Sequence, residues 1–262
     1  MTRILHLSDL HFGLERTALI APLLDLVNAA RADLVVVTGD LTHRAHPAQF
    51  AAAAAFLRRI EAPLIAVPGN HDIPFYNLTQ RILHPYRRFS TAIAETLEPV
   101  GHVGNIRVQG VNSVDPLAWQ RGTISESQLA RITATLDPAC INIVALHHPL
   151  QQAPGIDKAL ALGASQALAR LESAGVHVIL SGHLHIWSIG AFQDAAGRTI
   201  LQVQAGTALC ARPHDRQNEF AILEFLGDDL IVERRVAPMS QPGFGPPQYL
   251  RFTRRSGRWQ SL

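Results

Sequence analysis

Five short segments of this sequence group side chains that bind cations well. Ser8-Asp9-Leu10-His11 sets a carboxylate and an imidazole two residues apart, which on an extended chain puts both on one face, able to grip one ion together. Gly39-Asp40 supplies a carboxylate whose two oxygens can bridge two cations, after a glycine that lets the backbone approach closely. Gly69-Asn70-His71-Asp72 offers an amide oxygen, an imidazole and a carboxylate within one turn. His147-His148 and Gly182-His183-Leu184-His185 add further imidazoles. Mixed nitrogen and oxygen donors suit Mn²⁺, Fe or Zn²⁺ better than Ca²⁺. A bridging carboxylate is the natural centre of a two-metal site, in which cations about 3.5–4 Å apart acidify a shared water and make it a nucleophile.

These segments need elements that bring them together, and the flanking residues supply them. Each follows an apolar run: RILHL, ADLVVVT, APLIAVP, INIVAL and VHVIL. Buried strands feeding functional turns have this texture. Helical patterns lie between them at about 17–31, 46–60, 125–136 and 157–173, with Pro47 suited to a first turn and Ser125 capping three residues before Gln128. Alternating strands and helices predict a largely parallel sheet covered on both faces, whose carboxyl-end loops share one edge. After residue 185, SIGAFQDAAGRTILQVQAG and EFAILEFLGDDLIVERRV predict antiparallel strand pairs joined by turns containing Gly or Asp. Residues 73–100, with Pro74, Pro85 and Pro99 around amphipathic stretches, predict a helical insertion. From about 237 onward, Pro238, Pro242, Pro246 and Pro247 predict a tail that wraps the surface.

The ordered set D-x-H, G-D, G-N-H-[DE], H and G-H-x-H, each at a strand end, resembles the calcineurin-like metallophosphoesterase superfamily over about residues 3–225. That resemblance implies an α/β fold, a four-layer αββα sandwich of mixed sheets with flanking helices. It also implies a domain at 1–236, with 73–100 as a cap or dimer surface and 237–262 as a C-terminal tail. It assigns Asp9, His11, Asp40 and His185 to one metal and Asp40, Asn70, His147 and His183 to a second, as two divalent ions or an Fe(III)/divalent pair. A bridging hydroxide would attack phosphorus in line, and His71 would protonate the leaving oxygen. Two divalent ions, Asp9, Asp40 and one hydroxide sum to about +1, which a phosphodiester monoanion balances and a monoester dianion overshoots unless arginines add charge.

Within the superfamily, the serine/threonine phosphatase branch has G-D-x-V-D-R-G where this chain has Gly39-Asp40-Leu41-Thr42-His43-Arg44-Ala45. His43 in place of the aspartate speaks against that branch and removes a carboxylate partner from His71. GDLTHRA, GNHDIP and AGTALCARPHDRQNEF resemble the bacterial cyclic-nucleotide phosphodiesterases instead. On that footing His148, Thr207, Arg212 and Asn218 approach the substrate, with a solvated loop charge as the alternative for Arg212, and Phe75 and Tyr76 are helix core or, alternatively, stacking platforms. The expected function is hydrolysis of a small phosphodiester, with a cyclic nucleotide as the candidate substrate. A phosphomonoesterase, a nuclease with nucleic acid as substrate, and a non-catalytic scaffold are the alternatives. The oligomeric state, a homodimer included, stays open.

Composition sets outer bounds. With 262 residues, 47% of them hydrophobic and 17% charged, the chain can bury a large core. A net charge of +2 is too mild to argue for a nucleic-acid partner on electrostatics. The opening residues lack a signal-peptide run and no window approaches a membrane span, so a cytoplasmic location with no membrane partner is expected. Cys140 and Cys210 form no metal or disulfide spacing and read as small buried residues. Of the 13 histidines, His6, His43, His46, His84, His102, His177 and His214 show no ligand-like spacing.

Overall fold

The computed structural model describes residues 1–152, 156, 158–193 and 199–262. The chain opens with β1 (Thr2–Leu7), α1 (Thr17–Ala29), β2 (Leu34–Thr38), α2 (Pro47–Leu57) and β3 (Leu64–Val67), and the three strands pair in parallel. Two short helices, α3 (Leu78–Leu83) and α4 (Arg87–Ala92), occupy the segment read as an insertion. A second sheet then forms from β4 (Val100–Val103), β5 (Ile106–Val111), β6 (Ile141–Leu146), β7 (Val178–Ser181), β8 (Ser188–Gln193) and β9 (Thr199–Gln204), in the order β4-β5-β6-β7-β9-β8. Its helices are α5 (Glu126–Ala134) and α6 (Ala164–Ala174). Finally β10 (Gln217–Leu226), β11 (Asp229–Pro238), β12 (Gln248–Arg255) and β13 (Arg258–Ser261) return to the first sheet, whose order is β13-β12-β11-β10-β1-β2-β3.

Side-chain alternation divides each central strand between two cores. Ile4, Leu34, Val36, Ile143, Ala145, Val178 and Leu180 face into one layer between the sheets. Their neighbours Leu5, Leu7, Val35 and Val37 pack on Leu19, Leu23 and Val27 of α1 and Phe50 and Phe56 of α2. On the other side, Val144, Leu146 and Ile179 pack on Leu129 and Ile132 of α5 and Ala167 and Leu171 of α6. The result is the four-layer αββα sandwich of mixed sheets. The sheet covered on both faces that the strand–helix alternation predicts is present twice over, each sheet covered by helices on one face and by the other sheet on its second. A strand buried on both sides is continuously apolar whatever covers it, so the sequence pattern could not tell the two apart.

Local signals held where they had a specific chemistry. Ser125 Oγ accepts from Gln128 N at 3.2 Å and Ser125 N donates to Gln128 Oε1 at 2.9 Å, the reciprocal cap expected of that pair. The helical pattern at 157–173 is realised from Ala164, behind Gly163 at φ +79°; residue 157 lies outside the described residues, as does the turn at 194–198. Residues 237–262, set apart as a surface tail, contribute β12 and β13. The four prolines all precede Gln248, after which Phe252 and Trp259 alternate inward and bury 6% and 4% exposed against the inter-sheet core. No helix among the described residues is long and apolar enough to cross a membrane.

Candidate metal centre

Five loops at the carboxyl ends of β1, β2, β3, β6 and β7 carry the cation-binding motifs, and they meet across the top of the inter-sheet layer. Asp9, His11, Asp40 and Asn70 come from the first sheet and His147, His183 and His185 from the second. Asp9, His11, Asp40, His183 and His185 have φ of +54°, +49°, +52°, +76° and +57°, a left-handed conformation that non-glycine residues rarely adopt. Strain of this kind persists only where surrounding contacts impose it, and it clusters at functional sites. It also corrects the expectation that Asp9 and His11 share one face of an extended chain. Each is turned into the site by its own left-handed residue, held by Asp9 N→Gly39 O at 3.0 Å and His11 N→Asp40 O at 2.9 Å.

The donor atoms lie close together. Asp9 Oδ1 stands 3.2 Å from His185 Nε2 and 3.6 Å from His11 Nε2, and the two imidazole nitrogens are 3.0 Å apart. Around the second set, His147 Nε2 is 3.1 Å from Asn70 Oδ1 and 3.2 Å from His183 Nδ1. Asp40 faces both: Oδ2 is 3.5 Å from His11 Nε2 and Oδ1 is 3.4 Å from His147 Nε2. Ligand atoms about 2.1 Å from an ion stand about 3.0 Å apart at an octahedral edge and about 3.4 Å apart at a tetrahedral one. The observed spacings, 3.0–3.6 Å, lie close to those values.

Neighbouring groups fix the orientation of these donors. His147 Nδ1 donates to Thr38 O at 2.8 Å, leaving Nε2 toward the site. His185 Nδ1 lies 3.0 Å from both carboxylate oxygens of Asp215, a partner that no spacing in the sequence pointed to. Asp9 Oδ2 accepts from Ser8 Oγ at 2.6 Å and His183 N at 3.0 Å, while its Oδ1 is buried and, among the described residues, has no hydrogen-bond donor. Asp72 reaches back from the third loop to accept from Leu41 N, Thr42 N, Thr42 Oγ1 and Gly69 N at 2.9–3.1 Å. Burial and Asp40 push its carboxyl up to about 7 against those donors. Two glycines allow the approach: a Cβ on Gly69 would stand 2.2 Å from Asp40 Oδ1, and one on Gly182 would stand 1.8 Å from Ser8 Oγ.

Electrostatics agree with a cation site. Burial opposes charge on Asp9, but His185, His11 and His147 around it hold its carboxyl well below the usual range. Burial likewise opposes charge on Asp40, and His147, His71 and His11 hold that carboxyl low as well. Conversely, burial works against His147 and His185, yet Asp40 pushes the first up to about 9 and Asp9, with Asp215, the second to about 11. This is concentrated negative charge that draws positive charge to itself. A buried donorless carboxylate oxygen, paired imidazole nitrogens at ligand-edge spacing and low carboxylate pKa values together fit transition-metal cations.

His71 lies beside this cluster, its ring 4.9 Å from that of His11. Its Nδ1 donates to His43 O at 2.6 Å, so a backbone carbonyl takes the place of the missing carboxylate partner. Its Nε2 accepts from Arg212 at 3.0 Å. His43, read as outside the site, stacks on His71 with ring centroids 5.7 Å apart and meets Arg44 Nε at 3.1 Å. Thr207 and Asn218, expected near the substrate, are fully buried and hold loops: Thr207 Oγ1 donates to Asp9 O at 2.6 Å and Asn218 Nδ2 to Cys210 O at 2.8 Å. His148 is also buried, spanning Ser113 Oγ and Gln120 O. Cys210 is the small buried residue expected, a free thiol against His185, whereas Cys140 is only half-buried. Phe75 and Tyr76 are 41% and 65% exposed, so they are not helix core; they pack on each other, on Trp119 and under Arg44.

Fold and site together define a metal-dependent phosphoesterase, and comparison with known proteins gives the same class. The calcineurin-like phosphoesterase family model matches residues 2–187, and the chain belongs to that family. A probable cyclic nucleotide phosphodiesterase of Vesicomyosocius okutanii is 22% identical over 70% of this chain and 78% of its own length. A second, from Rhodococcus erythropolis, is 28% identical over 72% of this chain and 66% of its own. A cAMP/cGMP dual specificity phosphodiesterase of Mycobacterium tuberculosis is 28% identical over 70% of this chain and 61% of its own. Among solved structures, a purple acid phosphatase from yellow lupin superposes with a TM-score of 0.70 at 15% identity, covering 95% of this chain and 53% of its own. Vps29 of Chaetomium thermophilum does so at 0.53 and 16%, covering 97% and 98%. These two share the fold.

Proposed function

We propose that the chain hydrolyses phosphodiesters at a dinuclear centre, with Asp9, His11, Asp40 and His185 on one cation and Asp40, Asn70, His147 and His183 on the other. The observation that carries this reading is Asp40, whose two oxygens face two separate sets of donors at matching distances. Two such cations would supply charge for the phosphoryl oxygens and an acidified water. The chain's own residues do the rest. Asp215, Thr38 and Ser8 aim the donors. His71, with Nδ1 committed to His43 O, presents Nε2 to the reacting group, and once protonated there it delivers that proton to the departing ester oxygen as the P–O bond breaks. For that step Arg212 leaves His71 and turns to a phosphoryl oxygen.

Arg212 also favours a second reading. It raises the positive charge around the phosphoryl position from about +1 to about +2, which a phosphomonoester dianion balances. Relatives named as cyclic nucleotide phosphodiesterases support the diester. The two separate in one experiment: Mn²⁺-loaded protein of known metal content is assayed on bis(p-nitrophenyl) phosphate and p-nitrophenyl phosphate. A larger kcat/KM on the diester is expected, and a larger value on the monoester would replace this reading with the second. Replacing His71 with Ala should preserve metal content and slow esters with poor leaving groups about 10²-fold or more, with a smaller loss on p-nitrophenyl esters. Equal losses would remove His71 as the acid.

A further inference from the structure

Beside His185 the surface opens into a cavity of about 780 Å³, lined by His185, Arg212 and Asp215 of the site and also by Trp187, Arg216 and Arg234, which the hydrolytic machinery does not use. Arg212 lines it and reaches from there to His71, so the cavity adjoins the reacting position. Trp187 and Arg234 form one wall, with the guanidinium carbon 5.0 Å from the indole centroid. This cation–π stack is anchored from below. Arg234 Nε donates to Glu219 Oε2 at 2.7 Å, its second nitrogen pairs with the same oxygen, and Gln217 Nε2 donates there at 3.0 Å. Glu219 is 1% exposed, so its charge is held by that pairing and Arg234 cannot swing away without stranding it. Arg216 lies exposed at the rim and, among the described residues, enters no ion pair.

We propose that this cavity holds the base of a nucleotide whose phosphodiester lies at the metal centre, a proposal that rests on the phosphodiesterase reading. A flat, fixed indole–guanidinium wall is the surface on which a nucleobase stacks, and it accepts any base because every base has a π face. The volume falls within the roughly 300–1,000 Å³ of small-molecule sites, ample for a nucleoside. Arg212 and Arg216 supply positive charge for the phosphate edge of such a ligand, whereas an uncharged or purely aliphatic ester group would use neither the charge nor the stack. Phe75, Tyr76 and Trp119 offer a rival aromatic surface, but it is an exposed cluster and does not line this cavity.

Binding and turnover test the proposal separately. Adenosine 5′-monophosphate titrated into metal-free protein should quench tryptophan fluorescence. Trp187→Ala should weaken binding, read by calorimetry, about tenfold or more, Trp187→Phe should restore most of it, and Arg216→Glu, an exposed change that leaves the core intact, should weaken it severalfold. With metal-loaded protein, Trp187→Ala should raise KM for a 3′,5′-cyclic purine nucleotide by a similar factor while kcat changes little. Unaltered binding in both Trp187→Ala and Arg216→Glu overturns the proposal, as does a KM that responds to Tyr76→Ala and not to Trp187→Ala. Wild-type protein inactive on every diester would defeat the reading of the reaction, while the titration would still decide the cavity.

Discussion

His185 shows how much one side chain here depends on its neighbours. It sits at φ +57°, its Nε2 beside Asp9 and His11 and its Nδ1 between the oxygens of Asp215. A carboxylate behind a ligating imidazole fixes its tautomer and raises its basicity, and losing such a partner costs about 10–100-fold in metal affinity. On the dinuclear reading proposed above, Asp215→Asn should weaken one of two metal equivalents by that factor and leave the other near its original value, as chelator competition would reveal. Two unchanged affinities would strip Asp215 of this positioning role. His71 is built differently: its Nδ1 partner is a backbone carbonyl, which orients the ring without adding negative charge behind it.

The elements that matter most are the loops after the strands, because they carry both the donors and the backbone hydrogen bonds that twist those donors inward. Asp72 ties the loop after β3 to the loop after β2 through three donors, Leu41 N, Thr42 N and Thr42 Oγ1, and Gly182 lets the loop after β7 lie directly on Ser8 and Asp9 of the loop after β1. That second contact joins the two sheets at the site. A methyl group on Gly182 would stand 2.4 Å from Asp9 Oδ2, so Gly182→Ala must push the loops apart. We expect it to cost about 1–3 kcal/mol in denaturant unfolding and to lower metal occupancy at the same time. Loss of metal with unchanged stability would mean that the loops accommodate the methyl group without strain.

Across the whole molecule, acid sensitivity follows from histidines buried as neutral rings. Burial lowers His6 to about 3, although Asp9 opposes it; burial and His147 lower His148 to about 3; burial and Arg254 lower His177 to about 4. Each folded value lies below the ordinary 6.5, so the unfolded chain binds more protons below that pH and stability is lost as pH falls from about 6.5 toward 4. The slope is about 1.4 kcal/mol per pH unit for each group. Asp72, pushed up to about 7, takes up a proton in the folded state over the same window and offsets one of the three. In chelator-treated protein, denaturant midpoints should fall steadily between pH 6.5 and 4.5, and His6→Gln should make that fall shallower. A flat profile would contradict the buried, neutral state of these rings.

The donor set was legible in the sequence because it is local: a carboxylate or imidazole placed directly after an apolar strand appears as a short motif, and strand ends at one edge must converge. Asp9, His11, Asp40, Asn70, His147, His183 and His185 were named on that basis, with family resemblance dividing them between ions. Their left-handed backbone was not legible, since nothing in Asp-Leu-His distinguishes an extended pair from one twisted by hydrogen bonds to residues thirty positions away. Asp215 and His43 escaped for the same reason, each meeting the site through a contact between distant segments rather than through spacing. Family resemblance implied two sheets, but which strands go to which, and the place of β12 and β13 in the first, needed the tertiary structure. An apolar strand records that both its faces are buried, whereas only the packed chain decides what buries them.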